Sequence, residues 1–253
     1  MNVLSSVQMI AAEDTRRTQV LLAEIGSRQA QLVALHAHNE QAASGRIVAA
    51  LKRGLNVALV SDAGTPLLCD PGFDLVRRCW QEAIPVVPVP GSSSVLAILS
   101  VCPLPTGRFY FEGFLPARAG QRRARLKELL QFPSAVVFFE APHRVEACLA
   151  DLEALQPERR IMVGREMTKR HETYYCDTAR VVAGLLKSDS QFRGEFVLVL
   201  EGSSAAGLDM DAERTMGILS GELPPAQAAR IGAQLLGVEK SQLYDLAVKQ
   251  RKS

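Results

Sequence analysis

Short apolar runs alternate with longer amphipathic stretches through the first hundred residues. Met9 to Ala12, Leu32 to Leu35, Val57 to Val60 and Pro85 to Val89 are apolar and of strand length. Between them, Thr15 to Ile25 closes at Gly26 and Glu40 to Arg53 closes at Gly54, while Phe73 to Ala83 sets Phe73, Val76, Trp80 and Ala83 on one helical face. Regular alternation of strand and helix predicts a parallel sheet covered by helices. Ser93 to Val101 reads as a further helix.

The proline-bearing segment Cys102 to Gly107 reads as a linker. Beyond it the pattern predicts strands at Phe109 to Phe114, Ser134 to Phe139, Arg160 to Gly164, Thr173 to Cys176 and Glu195 to Leu200. Helical patterns occupy Gln121 to Leu130, Arg144 to Leu155 and Thr178 to Leu186. The third and fourth of these strands are too close for a crossover helix, so this sheet is expected to be mixed. Gly202 to Leu208 is small and flexible in composition, and Asp211 to Ser220, Pro224 to Leu236 and Lys240 to Lys249 follow as helices. The expectation is an α/β protein with domains at 1–107 and 108–203 and a small helical appendix at 208–253.

Composition sharpens the class. The 253 residues are 47% hydrophobic and 22% charged, enough for a large core, and 29 basic against 27 acidic residues announce no global polyanion partner. Five cysteines, an odd number without a C-x-x-C pair, argue against a disulfide framework and a structural zinc, and point to the cytoplasm. Ala83 to Gly107 carries no charge, but six Pro and Gly residues interrupt it, so no membrane helix is expected there. Met1 to Gln8 lacks the basic and apolar blocks of a signal peptide. His36 and His38 share one side of an extended segment, yet with only Asn39 and Glu40 nearby a hydrogen-bonding role is favoured over a metal site.

No two glycines stand two residues apart, so the dinucleotide fingerprint is missing; neither a P-loop nor a G-x-S-x-G elbow occurs. Polar signatures instead follow the predicted strands: Glu13-Asp14-Thr15-Arg16, His36 to Glu40, Ser61 to Pro66 and Pro90 to Ser94, then Glu140 to Arg144 and Arg165 to Lys169. In open α/β sheets ligands bind beyond the carboxyl ends of strands. Each motif alone has an ordinary account as a turn or a cap; six at strand ends point to one cleft. The helix start at Ser92 to Ser94 offers N–H groups to a carboxylate, and Asp62 suits an amine or a ribose hydroxyl. S-adenosylmethionine fits that description, as do several nucleotides.

Ala11 to Arg16, His36 to Glu40, Ser61 to Pro66, Asp70-Pro71-Gly72, Phe111 to Pro116, Glu140 to Arg144, Thr168-Lys169 and the tail from Leu223 to Ala229 together resemble the type I small-subunit ribosomal RNA methyltransferases of the tetrapyrrole methylase superfamily. The resemblance covers nearly the whole chain. It implies two α/β domains with S-adenosylmethionine between them, and methyl transfer to the ribose 2'-hydroxyl of a decoding-centre cytidine in 16S rRNA of the 30S subunit. It also implies a homodimer without metal. Cofactor contacts are implied at Asp62, Gly64, Thr65, Pro66, Ser93, Ser94, Glu140 and Met167. Members of this group begin with a strand and loop that nothing before Met9 matches, so the first strand is expected to be missing, with unpaired ladder groups on its neighbours.

Displacement at a sulfonium methyl depends chiefly on holding the acceptor oxygen in line. Glu13, Asp14, His38 and Glu140 are the candidates for orienting or deprotonating it. Arg108 to Leu130 holds six basic residues against Glu112 and Glu128, which makes Arg118, Arg122, Arg123 and Arg125, with Arg16, Arg144 and Lys169, the candidate RNA contacts. Two alternatives remain: a tetrapyrrole methyltransferase, and an inactive RNA-binding or ribosome-assembly protein.

Overall fold

The structure is a computed structural model, and it describes residues 2–27, 30–189, 193–203, 215–236 and 240–250. The chain divides into two compact units, Met1–Ala97 and Ile98–Ser253.

The first unit runs α1 (Asn2–Ser6), β1 (Met9–Ala12), α2 (Thr15–Glu24), β2 (Gln31–Ala34), α3 (Glu40–Lys52), β3 (Val57–Val60), α4 (Phe73–Gln81) and the start of α5 (Ser94–Val101). The three strands form a parallel sheet of order β2-β1-β3, in which Met9 faces Gln31 on one side and Val57 on the other. Central β1 is buried throughout. Met9 and Ala11 pack with Ile47, Leu75 and Cys79, while Ile10 and Ala12 pack with Leu22, so alternate residues fill cores on opposite faces. Each large side chain removed from water contributes about 1.5–3 kcal/mol.

Two sequence expectations fail in this unit. Pro85 to Val89 forms no strand: residues 84–93 have no regular structure, and Val86, Val87 and Val89 are exposed. Pro85, Pro88 and Pro90 each lack the N–H that a ladder requires. In α4 the buried residues are Leu75 and Cys79, whereas Phe73 and Trp80 are 68% and 74% exposed. Both helix faces carry apolar residues, and side-chain size alone selects the wrong one.

The second unit contains β4 (Phe109–Phe114), α6 (Ala119–Leu129), β5 (Ala135–Glu140), α7 (Val145–Leu155), β6 (Arg160–Arg165), β7 (Thr173–Thr178), α8 (Ala179–Asp189) and β8 (Phe196–Leu200). Its sheet has the order β4-β5-β8-β6-β7, with only β4 and β5 parallel, the mixed arrangement the strand spacing predicts. Central β8 is apolar and buried at every position, and Leu198 lies opposite Phe138 and Val163 at the middle of the core. A helix at 215–222 (α9), then α10 (Pro225–Leu236) and α11 (Lys240–Gln250), bury Met216, Ala228, Ala229, Leu243 and Ala247 among them. The expected flexible segment from Gly202 and the start of the helix from Asp211 fall largely outside the described residues. No helix among the described residues is long and apolar enough to cross a membrane.

Candidate functional site

In the first unit the carboxyl ends of β1 and β3 are clasped together. Glu13 donates its N–H to the Val60 carbonyl at 3.2 Å, Asp62 donates its N–H to Glu13 Oε2 at 3.0 Å, and Asp14 donates its N–H to Asp62 Oδ1 at 3.1 Å. Arg17 Nη1 lies 3.2 Å from Asp62 Oδ2. Asp14 caps α2: its Oδ1 accepts the Arg16 N–H at 2.9 Å and its Oδ2 pairs with Arg16 Nη2 at 2.7 Å. Those hydrogen bonds lower the Asp14 carboxyl to about 2. Asp70 moves the other way: burial first, then the nearby Glu13 and Asp62 carboxylates, push it up against the opposing Ser61 hydrogen bond.

At the end of β2, Asn39 shapes the loop by accepting the His36 N–H at 2.9 Å and donating to the Ala34 carbonyl at 3.0 Å. The His36 and His38 rings meet edge to face, 6.0 Å between centroids; His38 is exposed, and among the described residues His36 Nδ1 is buried without a hydrogen-bond partner. Glu40 Oε1 accepts the N–H groups of Gly72 and Asp74 at 2.9 and 2.8 Å, so it caps α4 from another element. Gly72 has φ +127°, and a Cβ there would stand 2.6 Å from Leu59 Cδ2, so only glycine fits.

The loop after β3 holds Leu67 and Cys69 in the left-handed region, at φ +73° and +69°. Such strain persists where surrounding contacts enforce it and concentrates at ligand loops. Thr65 Oγ1 donates to the Ser92 carbonyl at 3.0 Å, which ties this loop to the start of α5. Gly64, Thr65 and Ser94 are left exposed on the joined loops, Pro66 is half-buried, and Ser93 Oγ accepts the Leu96 N–H at 3.4 Å. A Cβ on Gly64 would meet the Ser92 carbonyl at 3.8 Å, an ordinary van der Waals contact, and the glycine has φ +72°. Exposed backbone groups, hydroxyls and a helix start are a donor set that suits the polar and carboxylate parts of an amino-acid nucleoside.

In the second unit Glu140 is fully buried. Its Oε1 accepts the Ala141 N–H at 2.9 Å and pairs with Arg144 Nη2 at 2.7 Å. Among the described residues, Glu140 Oε2 and Arg144 Nε are buried without a hydrogen-bond partner. Met167 is buried against Gly164, flanked by Glu166 and Thr168 at φ +47° and +65°. Lys169 reaches Glu166 at 3.0 Å and Glu195 at 3.2 Å, and the Glu195 N–H with Lys169 pulls the Glu166 carboxyl down.

The candidate basic residues differ in exposure and in pairing. Arg122 is buried on Asp151 at 2.7 Å, and Arg123 bonds the same carboxylate at 2.6 Å while staying largely exposed. Arg125 is held by Glu112 and Glu128, at 2.7 and 2.6 Å, which push its guanidinium further up. Arg118, at the N-cap of α6, and Lys127 within it are exposed, and the Arg16 side chain is 88% exposed in the first unit. Arg17, Asp70, Asp151 and the two glutamates on Arg125 are absent from the candidates of the sequence. Asp151 lies 29 residues from Arg122, a separation that no local pattern spans. Among the described residues no three His, Cys, Asp or Glu side chains gather as a metal centre would require.

Comparison with known proteins places these features in a family. The model for tetrapyrrole (corrin/porphyrin) methylases matches residues 1–182, and one described as an RsmI C-terminal HTH domain matches residues 206–251. The chain is 43% identical to ribosomal RNA small subunit methyltransferase I of Escherichia coli O157:H7, over 99% of this chain and 89% of that one. It is 45% identical to the protein of the same name from Neisseria meningitidis serogroup A, over 97% and 86%. Among solved structures, the methyltransferase CobJ aligns with TM-score 0.57 at 16% identity, covering 80% of this chain and 86% of that one. Uroporphyrin-III C-methyltransferase from Thermus thermophilus, complexed with S-adenosyl homocysteine, aligns with TM-score 0.52 at 17% identity, over 79% and 88%; both likenesses concern the fold. The chain belongs to the tetrapyrrole (corrin/porphyrin) methylases and, within them, to the ribosomal RNA small subunit methyltransferase I group.

Proposed function

We propose that this protein transfers the methyl group of S-adenosylmethionine to 16S rRNA of the small ribosomal subunit, the acceptor being the ribose 2'-hydroxyl of a decoding-centre cytidine. The observation that carries this reading is the 43–45% identity, over nearly the whole chain, to relatives bearing the name ribosomal RNA small subunit methyltransferase I. The cytoplasmic 30S subunit is the substrate particle, and the enzyme works as a homodimer without metal. The cofactor supplies an electrophilic methyl on a sulfonium centre.

Gly64, Thr65, Pro66, Ser93 and Ser94 cradle the cofactor on the two loops joined by the Thr65–Ser92 hydrogen bond. Asp62 acts chiefly by fixing that cradle, since its two oxygens are engaged by the Asp14 N–H and Arg17. Met167 is a further cofactor contact, and Glu140, buried beneath its own loop, sets the course of Ala141 to Arg144. Glu13 and His38 orient the acceptor hydroxyl. Asp14, whose carboxyl sits at about 2, is too weak a base to take its proton near neutral pH. Arg16, Arg118 and Arg123 meet phosphates; Arg144 and Lys169 stand at the rims of their loops; Arg122 and Arg125 stiffen α6.

The test is methylation of 30S subunits that lack the modification, with labelled S-adenosylmethionine, followed by nucleoside analysis and mapping. One 2'-O-methylcytidine in the decoding region is expected. Label on a base, or none in 16S rRNA while a tetrapyrrole is methylated, would overturn the reading.

A further inference from the structure

The helical tail has a feature that the methylase fold does not use. Ala233, Gly237, Leu243 and Leu246 follow the spacing A-x3-G-x5-L-x2-L, across a Gly-Val-Glu connection at 237–239 between α10 and α11. A small residue where two helices cross and two apolar residues on the second helix are physical needs of a helix–turn–helix pair. The packing agrees. Leu243 and Ala247 are buried with Met216, Ala228 and Ala229, and Ala233 and Leu246 pack against them. A Cβ on Gly232 would stand 2.6 Å from Met216 Sδ, so α9 and α10 approach as closely as a glycine permits.

With that face of α11 pinned inward, Lys240, Ser241, Tyr244 and Asp245 are turned to solvent, Tyr244 at 45% exposure. An ammonium and a hydroxyl stand one helical turn from a phenol ring, on the first two turns of the second helix, where a helix–turn–helix presents its contacts to nucleic acid. From Lys240 to the end, the sequence has four basic residues against the single Asp245. Arg230 is exposed on α10 as well.

We propose that this face of α11 is an RNA-docking surface, in which Lys240 and Ser241 take backbone phosphate oxygens and Tyr244 stacks on an unpaired base. Side chains do not read the deep groove of an RNA duplex, whereas aromatic rings recognise splayed bases irrespective of sequence. The surface therefore grips and orients the ribosomal substrate rather than selecting the methylated nucleotide. It deepens the function proposed above and rests on it.

The experiment compares the full chain with its Lys240→Glu/Tyr244→Ala variant, both side chains being exposed. Binding to 30S subunits and to protein-free 16S rRNA is measured by filter retention from low to high salt, alongside S-adenosylhomocysteine affinity, thermal melting and steady-state methylation. The expected result is a loss of at least tenfold in affinity for both RNAs and a salt slope shallower by about one. KM for 30S subunits rises in step, with kcat, cofactor affinity and melting unchanged. A parent that binds and methylates while the variant matches it overturns this proposal alone. Loss on 30S subunits but not on bare rRNA assigns the surface to a ribosomal protein and also overturns it. A parent that binds neither RNA sinks the proposed function together with this surface.

Discussion

Glu13 and Asp62 hold each other across adjacent strand ends: Glu13 Oε2 accepts the Asp62 N–H at 3.0 Å, while Asp62 Oδ1 accepts the N–H of Asp14, the residue after Glu13, at 3.1 Å. Glu13, a catalytic candidate in the sequence, and Asp62, a cofactor candidate, are thereby both engaged with backbone donors. These bonds fix where two loops leave the sheet. Replacing Asp62 by Ala frees a half-buried N–H and the Arg17 partner and is expected to cost about 1–3 kcal/mol in urea denaturation. Glu13→Ala costs a similar amount, and because both belong to one clasp the double variant loses less than the sum. Additive losses would show that the clasp does not act as a unit.

Asp14 titrates in a direction set by Arg16. Its folded value, about 2, lies below the ordinary 3.8, so its stabilising contribution is present above 3.8 and is lost as pH falls towards 2. Carboxyl NMR titration should place Asp14 near 2 in the parent and move it upwards in Arg16→Gln. The acid side of the pH–rate profile should be indifferent to that substitution; a matching shift in rate would give Asp14 a proton-transfer role.

Glu40 and Gly72 belong to one device, a cap on α4 built from the first residue of α3. Gly72→Ala forces a side chain into the left-handed region and against Leu59, at an expected cost of about 2–4 kcal/mol in thermal or chemical unfolding. Glu40→Gln keeps an acceptor for the two N–H groups and should cost much less than Glu40→Ala. Equal losses would mean that the charge, rather than hydrogen bonding, is what α4 requires.

Periodicity and length carried most of the fold into view. β1, β3 and β4 have the predicted bounds, and the mixed second sheet follows from the short gap between β6 and β7. Pro85 to Val89 was legible as apolar but not as unpaired, because pairing depends on what lies beside a segment, and the prolines outweigh the valines. The exposed face of α4 shows the same limit: a helix with apolar residues on two sides does not reveal which side the sheet covers. At the site, the motif positions after β1 and β3 were legible, but their partners were not. Arg17 with Asp62, and Asp151 with Arg122, are pairings of distant residues that only the assembled sheets create.

Arg122 illustrates how a basic run misleads. Its guanidinium is buried against Asp151, so Arg122→Ala leaves a buried carboxylate with Arg123 as its remaining partner, and an expected loss of about 3–5 kcal/mol. Arg118→Ala, at an exposed position, should leave stability unchanged and weaken RNA binding, more so at low salt. Unfolding and filter-binding measurements on the two variants separate a structural arginine from an RNA contact. If Arg122→Ala is stable and loses RNA affinity, the buried pair is not what holds α6.

Asp70 should respond to pH in the sense opposite to Asp14. Burial and the neighbouring carboxylates raise its folded pKa above the unfolded 3.8, so the folded state favours the proton. Below 3.8 the group is protonated in both states and costs nothing. As pH rises through 3.8 towards the folded value, stability is lost, and above that value the full penalty of the half-buried charge beside its acidic neighbours is present. Asp70→Asn removes the charge while retaining an acceptor for the Ser61 hydroxyl, so it should melt higher than the parent at pH 7, with the difference closing near pH 3. Perturbed carboxylates of this kind are characteristic of working sites, and the same variant should bind S-adenosylhomocysteine differently from the parent in calorimetry at pH 7. A melting difference that is constant from pH 3 to pH 7 would show that Asp70 is not ionising against its neighbours.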